Sequence, residues 1–426
     1  MNSLYPSRKL GDLIKVHHGF AFKGEHFQEE ASGLVVVTPG NFQIGGGFKS
    51  DKLKWYSPEG PIPEEFRLAP GTLLVTMTDL SKKADTLGFP AIVPDDDLLY
   101  LHNQRIGVVE VLRSDLVLQR YLYYAMRSSG YRNRVLATAT GSTVHHTAPS
   151  RIGKAEIPLP EPEVQERIAD ILSSLDDKIK ANRAMNRTLE AMAQALYRQW
   201  FVDFGPFKDG EFEDSELGEI PLGWKVGPIG KVVKAVGGST PRTKNPEYWE
   251  GGSISWTTPK DLSSIESPVL LETNRQITEA GLATISSGLL PVGTVLMSSR
   301  APVGYLAIAE IPVAVNQGYV AIPPSERMSN LYVLFWLQAN MWRIKAHSGG
   351  TTFQEISKRN FRPLPMLVPP VDVLNHFDSE ARPLYDMMVT NLRESRQLAE
   401  TRDYLLPKLL SGEVEVGEGV EIAGAA

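Results

Sequence analysis

The chain repeats itself at an interval of about 210 residues. Gly141-Ser142-Thr143 recurs as Gly350-Thr351-Thr352 at an offset of 209, and the segment LGDLIKVHHGFAFK (10–23) recurs as IGKVVKAVGGSTPR (229–242) at an offset of 219. Each copy consists of a globular stretch followed by a long helical pattern. A duplicated unit of this size predicts two similar binding sites on one chain, which suits recognition of two similar targets at a fixed separation.

Each copy ends in a segment whose apolar residues recur alternately every four and three positions. A spacing of 3.5 residues over several heptads predicts a coiled-coil seam, and the natural partner of each helix is the other helix of the same chain. The predicted seam residues are Ile168, Leu172, Leu175, Ile179, Asn182, Asn186, Leu189 and Leu196 in the first helix, and Phe377, Leu384, Met388, Asn391, Leu398 and Leu405 in the second.

The middle of the predicted seam is polar in both helices. Asn182 and Asn186 of the first helix correspond to Asn391 and Ser395 of the second at the offset of 209. A buried asparagine lowers coiled-coil stability but penalises other registers, because a misaligned amide is left without a partner. We therefore expect antiparallel pairing in which the polar positions meet. Such pairing predicts a rod of about 60 Å with one globular unit at each end.

The globular stretches favour an α+β fold. Both contain short β-like runs separated by Gly and Pro, such as GTLLVTMTD (71–79) and GTVLMSSRA (293–301), together with a few apolar helical segments. Proline-rich exits precede both long helices. The predicted organisation is a first globular domain at 1–158, a central spacer helix at 159–204, a linker at 205–228, a second globular domain at 229–367, a C-terminal spacer helix at 368–411 and a tail at 412–426.

The composition predicts a folded cytoplasmic protein with more than one core. No apolar run reaches the roughly 20 residues that cross a bilayer, and the first residues lack the apolar region of a signal peptide. Cysteine is absent, which excludes disulfides, thiolate nucleophiles and cysteine zinc sites. The formal charge of −6 divides unevenly: +2 for 1–158, −6 for 159–216, +4 for 217–367 and −6 for 368–426. Mildly basic globular domains are compatible with binding to phosphate, whereas the segments that contain the helices are acidic.

No coherent catalytic motif is present in the sequence. It contains no phosphate-binding loop of the GxxxxGK[ST] type, no HExxH metal motif and no pattern for holding a flipped base. Pro94-Asp95 with Asp176-x-Lys178 gives a weak nuclease signal, because Asp176 lies on the heptad helix, where we expect it to face solvent. The histidine pairs lack a third ligand at metal-binding spacing, so no metal site is predicted.

Polar and basic residues on the loops are the candidates for DNA contact, because loops rather than the seam are free to reach base edges and phosphates. A solvent-exposed role without DNA remains an alternative for each of them. In the first domain the candidates are Lys23, Lys82, Lys83, Ser142, Thr143, His145 and His146, and in the second they are Arg242, Arg300, Thr351, Thr352, Gln354 and Lys358.

Several of these segments resemble a known family. The segments LGDLIKVHHGFAFK (10–23), IPLPEPEVQERIADILSSLDDKI (157–179), LYRQWFVDF (196–204) and LLPKLLSGEVEV (405–416) are similar to those of specificity subunits of type I restriction-modification systems. The resemblance implies a non-catalytic DNA reader with two target recognition domains, each recognising one half of a bipartite target in double-stranded DNA. The paired helices then act as a ruler.

The resemblance also implies partners and their cofactors. The helices of such a subunit dock two adenine-N6 methyltransferase subunits, and the assembly recruits restriction subunits that translocate and cut DNA. No cofactor is expected on this chain; S-adenosylmethionine, ATP and Mg²⁺ are expected on the partner subunits. The modest positive charge leaves one alternative open, a duplicated protein–protein scaffold that does not itself read DNA. An autonomous enzyme is disfavoured by the missing catalytic motifs.

Overall fold

The computed structural model describes residues 4–350 and 354–417. The described residues form two compact units: one contains residues 4–178 and 398–417, and the other contains residues 179–350 and 354–397. Each unit therefore combines one globular domain with parts of both long helices. A sequence repeat predicted the two domains, but the exchange of helix segments between the units follows from the fold.

The first globular domain is built from short strands and a few helices. Its strands are β1 (Ser7–Lys9), β2 (Ile14–His18), β3 (Phe27–Gln28), β4 (Leu34–Val37), β5 (Trp55–Tyr56), β6 (Arg67–Leu68), β7 (Leu73–Thr76), β8 (Thr78–Asp79), β9 (Pro90–Ile92), β10 (Leu99–His102), β11 (Ile106–Val111), β12 (His145–His146) and β13 (Glu156–Pro158). Its helices are α1 (Gln119–Ala125), α2 (Ser129–Ala137) and α3 (Pro149–Ile152), and the long helix α4 (Pro162–Phe201) follows.

Two larger sheets form most of the first domain, which also contains the two-stranded pairs β1-β13 and β12-β8. One has the order β3-β5-β4-β10-β6, in which β4 and β10 are parallel, and the other is antiparallel with the order β2-β11-β7-β9. Strands β7 and β11 carry Leu74 and Ile106, which are fully buried in the core beneath the first sheet. The other face of the second sheet packs on α1, where Tyr121 is fully buried.

The second globular domain repeats this arrangement. Its strands are β14 (Phe212–Ser215), β15 (Gly218–Pro221), β16 (Lys225–Pro228), β17 (Ile254–Thr257), β18 (Val269–Leu270), β19 (Arg275–Ile277), β20 (Val295–Ser298), β21 (Leu306–Ala309), β22 (Ala314–Val315), β23 (Tyr319–Ile322) and β24 (Pro365–Val368). Its helices are α5 (Ile229–Val232), α6 (Pro259–Leu262), α7 (Glu279–Leu282), α8 (Asn330–Ala339), α9 (Met341–Ala346) and α10 (Lys358–Phe361), and the long helix α11 (Val371–Ser411) follows.

The sheets of the second domain have the orders β19-β17-β22 and β18-β21-β20-β23. Strands β17 and β22 are parallel, as β4 and β10 are in the first domain. The apolar helix α8 is buried along most of its length, so its aromatic residues belong to the core of the second unit. The predicted α+β class with an internal repeat is confirmed.

The segment predicted as a linker, 205–228, contains regular secondary structure. It contains the hairpin β14–β15 and strand β16, which pairs antiparallel with β24 at the end of the second domain. Aromatic residues explain this structure: the Phe207 and Trp224 rings lie 4.9 Å apart, and Trp224 also contacts Phe201 of α4. Together with Phe204 and Phe212, these aromatic side chains supply the apolar surface that stabilises the segment.

The two long helices pair antiparallel within each unit. In the first unit, Leu172 of α4 packs in one core with Leu406 and Leu409 of α11. In the second unit, Trp200 near the end of α4 contacts His376 near the start of α11, with the ring centroids 5.1 Å apart. The predicted antiparallel coiled coil is therefore present.

All fourteen predicted seam residues are buried or half-buried. The fully or nearly fully buried ones are Ile168, Leu172, Ile179, Asn182, Asn186, Leu189, Phe377, Met388 and Asn391, and the half-buried ones are Leu175, Leu196, Leu384, Leu398 and Leu405. The buried surface is wider than an a/d seam, because large side chains beside it, Tyr197 and Tyr385 among them, pack against the second domain.

The central asparagines bond across the helix pair in the second unit. Asn391 donates through Nδ2 to Oδ1 of Asn186 at 2.9 Å, and Asn186 donates to the carbonyl of Met388 at 3.2 Å. Asn182 donates to the carboxylate of Glu394 at 2.7 Å, while its own Oδ1 is buried without a partner. These bonds exist in one register only, so they fix the alignment of the helices.

Replacing one asparagine of the bonded pair should destabilise the protein more than replacing both. Asn391→Leu leaves Oδ1 of Asn186 buried and unpaired, and we expect it to lower the free energy of unfolding by about 1–3 kcal/mol. The double variant Asn186→Leu/Asn391→Leu replaces the pair with apolar contact and should recover most of that loss. Urea unfolding of the wild type, both single variants and the double variant provides the four free energies of a double-mutant cycle. Additive losses would show that the two amides do not interact.

The prediction that Asp176 faces solvent is wrong. Its carboxylate accepts a hydrogen bond from Arg127 of the first domain at 2.7 Å and one from Arg402 of α11 at 2.6 Å. The internal repeat explains the arrangement, because the offset of 209 places Asp176 and Arg402 where the second unit has Tyr385 and Ala193. A charged pair in one unit thus occupies the positions of an aromatic and a small apolar residue in the other.

Candidate nucleic-acid interface

Two parallel strands end at the same edge of each domain, and a capped turn follows one of them. After β4, Oδ1 of Asn41 accepts from the backbone amide of Thr38 at 2.8 Å and from its hydroxyl at 3.0 Å. After β17, Oδ2 of Asp261 accepts from the amide of Thr258 at 2.7 Å and from its hydroxyl at 2.9 Å. The capping box therefore fixes the same turn in both domains.

A second shared turn follows the other parallel strand. Oδ1 of Asn103 accepts from the amide of Arg105 at 2.9 Å, and Oδ1 of Asn316 accepts from the amide of Gly318 at 2.8 Å. Each turn is approached by a glycine for which no side chain would fit. A Cβ on Gly19 would lie 2.3 Å from the His102 carbonyl oxygen, and one on Gly238 would lie 1.6 Å from that of Val315.

A hairpin loop completes the edge in both domains. Thr140 and His146 exchange two backbone hydrogen bonds, and Gly349 and Glu355 do the same. The loops also attach to corresponding strand ends, because His146 pairs with Thr78 and Glu355 pairs with Arg300. We call the surface formed by the 38–41 turn, the 103–105 turn and the 140–146 loop the loop edge of the first domain. Its counterpart in the second domain is formed by residues 258–261, 316–318, 349–350 and 354–355.

One carboxylate organises the basic loop of the first domain. Asp79 accepts hydrogen bonds from the amide of Ser81 at 2.6 Å and from the amide and hydroxyl of Thr86 at 2.5 Å. Burial alone would raise the pKa of Asp79, but these hydrogen bonds lower it below its usual value. The carboxylate therefore stays ionised, and it holds a loop whose tip exposes Lys82 and Lys83 to solvent.

The second domain has a cleft of about 470 Å³ at its loop edge. Basic side chains from two of its segments, Lys260 and Arg300, line this cleft, and Tyr305 and Asn316 form part of its wall. Arg300 is only loosely paired, with its Nη1 atom 3.9 Å from the carboxylate of Glu355. A concave surface with two cations and several amide or hydroxyl groups is suited to phosphate and base-edge contacts.

The structure brings several predicted DNA-binding residues to these edges. In the first domain, the loop that carries Ser142, Thr143, His145 and His146 lies beside the strand that begins the Lys82–Lys83 loop. His145 is half-buried and its Nε2 atom has no hydrogen-bond partner, whereas His146 bonds through Nδ1 to the hydroxyl of Thr78 at 3.1 Å. Ser142 and Thr143 are exposed at the loop tip.

The predicted residues of the second domain are spread more widely. Gln354 belongs to the loop that meets Arg300, and the ammonium group of Lys358 lies next to Gly237. Arg242 is exposed beside Trp249, whose indole donates to the Arg242 carbonyl at 3.1 Å. The predicted contacts Thr351 and Thr352 lie outside the described residues.

Lys23 has a different environment from the other candidates of the first domain. It precedes the short 3₁₀ turn Gly24–His26, and its ammonium group lies 3.8 Å from the carboxylate of Glu25. Both side chains are mostly exposed, so this pair contributes little to stability.

Some residues of the loop edges were not singled out from the sequence. They are Arg105 in the first domain and Lys260 and Gln317 in the second. Arg275, on β19 opposite Trp256 of β17, was also missed. Gln317 accepts from the Thr240 hydroxyl at 2.7 Å, and the Arg275 guanidinium lies 3.5 Å from the centre of the Trp249 ring. The sequence did contain a repeat that marks the capped turns: Thr-Pro-Gly-Asn at 38–41 recurs as Thr-Pro-Lys-Asp at 258–261 with an offset of 220.

Two searches of the described part of the chain gave negative results. Residues 4–350 and 354–417 contain no group of three His, Asp or Glu side chains arranged to hold a metal ion. Within the same ranges, no helix combines the length and the apolar character that crossing a membrane requires.

Comparison with known proteins gives a consistent family. The sequence model of the type I restriction modification DNA specificity domain matches residues 2–191 and 221–373. The chain is 30% identical over 324 residues to the MjaIX specificity subunit of Methanocaldococcus jannaschii, covering 73% of each, and 24% identical over 383 residues to the HindI specificity subunit of Haemophilus influenzae, covering 75% of the chain and 83% of that subunit. Its fold is similar to the crystal structure of a type I S subunit from M. genitalium, with a TM-score of 0.56, 16% identity and 96% of each chain covered.

The duplicated domains and the paired helices define a two-domain specificity protein. The chain belongs to the family of type I restriction-modification specificity subunits. Members of this family are the non-catalytic, DNA-binding subunits of larger complexes, so the predicted family and the non-catalytic role are confirmed. The alternative of a scaffold that does not read DNA is not supported.

Proposed function

We propose that each loop edge reads one half of a bipartite DNA target. The observation that supports this most directly is the shared backbone geometry of the two edges combined with their different side chains. Equivalent turns carry Gly40 and Lys260, and equivalent strand ends carry Thr78 and Arg300. A fixed backbone frame with variable side chains is what two readers of different sequences require.

The proposed complex has two further kinds of subunit. Two adenine-N6 methyltransferase subunits dock on the paired helices and carry S-adenosylmethionine, and restriction subunits carry ATP and Mg²⁺. The helices set the gap between the half-sites. Such an assembly acts on double-stranded DNA in the cytoplasm. The helices carry no net positive charge: α4 has six acidic and six basic side chains, and α11 has seven and five. Because neither helix attracts phosphate through net charge, their composition supports protein contact rather than DNA contact there.

Selection from random duplexes tests the proposal. The chain assembled with its methyltransferase partner is incubated with a randomised DNA library at fixed salt, and the bound sequences are determined. A motif of two short half-sites separated by a constant gap of unspecified bases is the expected result. Enrichment of a single continuous motif, or of none, would contradict bipartite reading.

Variants that lack basic side chains of one loop edge should alter recognition of only one half-site. Lys260→Ala/Arg300→Ala is expected to weaken binding by about 1–3 kcal/mol for each base that the missing side chains no longer reach, and to relax only one half-site. Lys82→Ala/Lys83→Ala should affect only the other half-site. Lys231→Ala on α5, an exposed lysine away from the loop edge, is the matched control and should change neither. Selection on each variant assembly provides the measurement, and a change in both half-sites from one double variant would contradict independent reading.

A further inference from the structure

A deep cleft lies between α4 and the second domain, inside the second unit. Its volume is about 720 Å³. The walls are largely apolar and include Tyr197 of α4, Leu306 of β21 and Phe335 of α8. We call this the α4 cleft. It is separate from the smaller cleft at the loop edge, although Tyr305 contributes to both.

The α4 cleft contains a carboxylate with an incomplete set of partners. Oε1 of Glu190 accepts hydrogen bonds from Nε2 of Gln194 at 3.2 Å and from Nε2 of Gln338 at 3.3 Å. The described residues provide no donor to its other oxygen, Oε2. The Gln338 amide is oriented by this contact, so its Oε1 atom is fixed on the opposite side, where it is buried without a partner.

The cations near the α4 cleft are engaged elsewhere. Arg198, the basic residue of the cleft wall, pairs with Asp203 at 3.4 Å, and Arg183 pairs with Glu266 at the rim at 2.9 Å. Among the described residues, none places a positive charge within ion-pair distance of Glu190. Burial raises the pKa of Glu190, and the two amide hydrogen bonds offset this only in part.

The cleft is a feature of one unit and not of the repeat. The offset of 209 places Ala399 of α11 where α4 has Glu190, and Asp403 where α4 has Gln194. The half-buried acid is therefore specific to the second unit, and so is the cleft that it lines.

We propose that the α4 cleft receives an arginine side chain of a methyltransferase subunit, an inference that rests on the proposed function. A guanidinium group donates charge-assisted hydrogen bonds to a carboxylate, which suits Glu190 Oε2 as an acceptor. The methylene stem of the arginine lies against the apolar walls. Apolar side chains at the mouth favour a protein over a small cation, because Val202 in the wall is 49% exposed and Trp342, next to Met341 of the wall, is 66% exposed.

Neutralising the acid should weaken assembly without harming the chain. Glu190→Gln is expected to raise the Kd for the methyltransferase subunit roughly 10- to 100-fold. The midpoint of thermal unfolding of the free variant should be unchanged or higher, because an uncompensated charge has been removed. Glu166→Gln, an exposed acid on the same helix, is the matched control and should leave both quantities unchanged. A binding loss without a stability loss is a result that a purely structural role would not give.

A single cysteine provides an independent measurement, because the chain has no cysteine of its own. Ala339→Cys at the exposed wall of the α4 cleft is labelled with an environment-sensitive fluorophore, and Ala283→Cys, exposed elsewhere in the domain, serves as the control. Addition of the methyltransferase subunit should change the emission of the first label only, with a weaker response in the Glu190→Gln background.

Three outcomes would overturn the inference. An unchanged Kd for Glu190→Gln would exclude the ion pair while leaving DNA reading intact. A response of the label to free arginine, with assembly unaffected by Glu190→Gln, would replace the protein partner with a small cation. Failure of the wild-type chain to bind the methyltransferase subunit at all would overturn the proposed function and the cleft partner together.

Discussion

Asp176→Ala is expected to lower the stability of the first unit by about 3–5 kcal/mol. The carboxylate accepts from Arg127, whose side chain is only 4% exposed, and from Arg402, and it also accepts from the Tyr124 hydroxyl at 3.1 Å. Removing it leaves a buried guanidinium without a counter-charge. The same carboxylate joins the globular domain to both long helices, so its removal should loosen their attachment.

Hydrogen exchange and urea unfolding measure this effect. Protection of the α1 amides should fall together with the unfolding midpoint. Asp170→Ala is the matched control, because Asp170 is on the same helix and pairs with Arg120 at 2.8 Å with both side chains more than half exposed. An exposed pair contributes about 0–1 kcal/mol, so the control should change stability little. Equal effects of the two substitutions would show that the buried network does not hold the unit together.

The contribution of Asp176 to the free energy of unfolding should depend on pH. Burial would raise the pKa of its carboxyl, but the Arg127 charge and the hydrogen bond from Arg402 lower it below the usual value. Because the folded pKa is depressed, the stabilisation is present above the pKa of an unfolded aspartate, about 4, and is lost as the pH falls through the folded value. The difference between wild type and Asp176→Asn should therefore be large at pH 7 and shrink towards about pH 2.

Deleting one heptad from each helix should shorten the gap in the DNA target by about three base pairs. Residues 179–185 of α4 face 392–398 of α11, as judged from the Asn186–Asn391 pair, so the two deletions are matched. Seven helical residues span about 10 Å, and base pairs are about 3.4 Å apart. The Asn186–Asn391 contact remains to fix the register, and the loop edges are unaltered.

The selection experiment provides the readout for the shortened chain. Both half-site sequences should be unchanged, while affinity for the original gap falls at least about 100-fold because only one half-site can be engaged. Deletion of 179–185 alone is the control: it misaligns the polar positions and should prevent a stable helix pair. Altered half-site sequences after the matched deletion would contradict the role of the helices as a spacer.

The seam was predictable because heptad periodicity is a local property of the sequence. Ile168, Leu172 and Phe377 had to be buried wherever the helices paired, and the matching positions of Asn182 and Asn391 indicated the direction of pairing. The environment of Asp176 was not predictable in this way. Its partner Arg127 is 49 residues away in a globular domain, and local pattern contains no information on which distant side chain approaches a helix.

The candidate site was predicted in part for the same reason. The loop at 140–146 was recognised because its glycine motif repeats. The Asn-Gln pair at 103–104 also repeats in the sequence, but the hydrogen bond by which Asn103 fixes its turn could be seen only in the structure. The turn that contains Lys260 repeats the Thr-Pro-Gly-Asn turn at 38–41, but nothing local marked the lysine itself or the half-buried Glu190 as a site residue. Lys260 becomes a candidate only when parallel strand pairing carries its turn to the same edge as the 316–318 turn and Arg300.

The sequence by itself determined the duplication, the two long helices and their polar centre, because these depend on residue spacing along one chain. The tertiary structure alone decided how side chains from distant segments combine: Asp176 with two arginines, Lys260 with Arg300, and Glu190 with Gln338. Each of these combinations depends on strand pairing or helix packing between segments that are dozens to hundreds of residues apart. Burial and electrostatic environment are set by that packing, and so they could be read only from the folded chain.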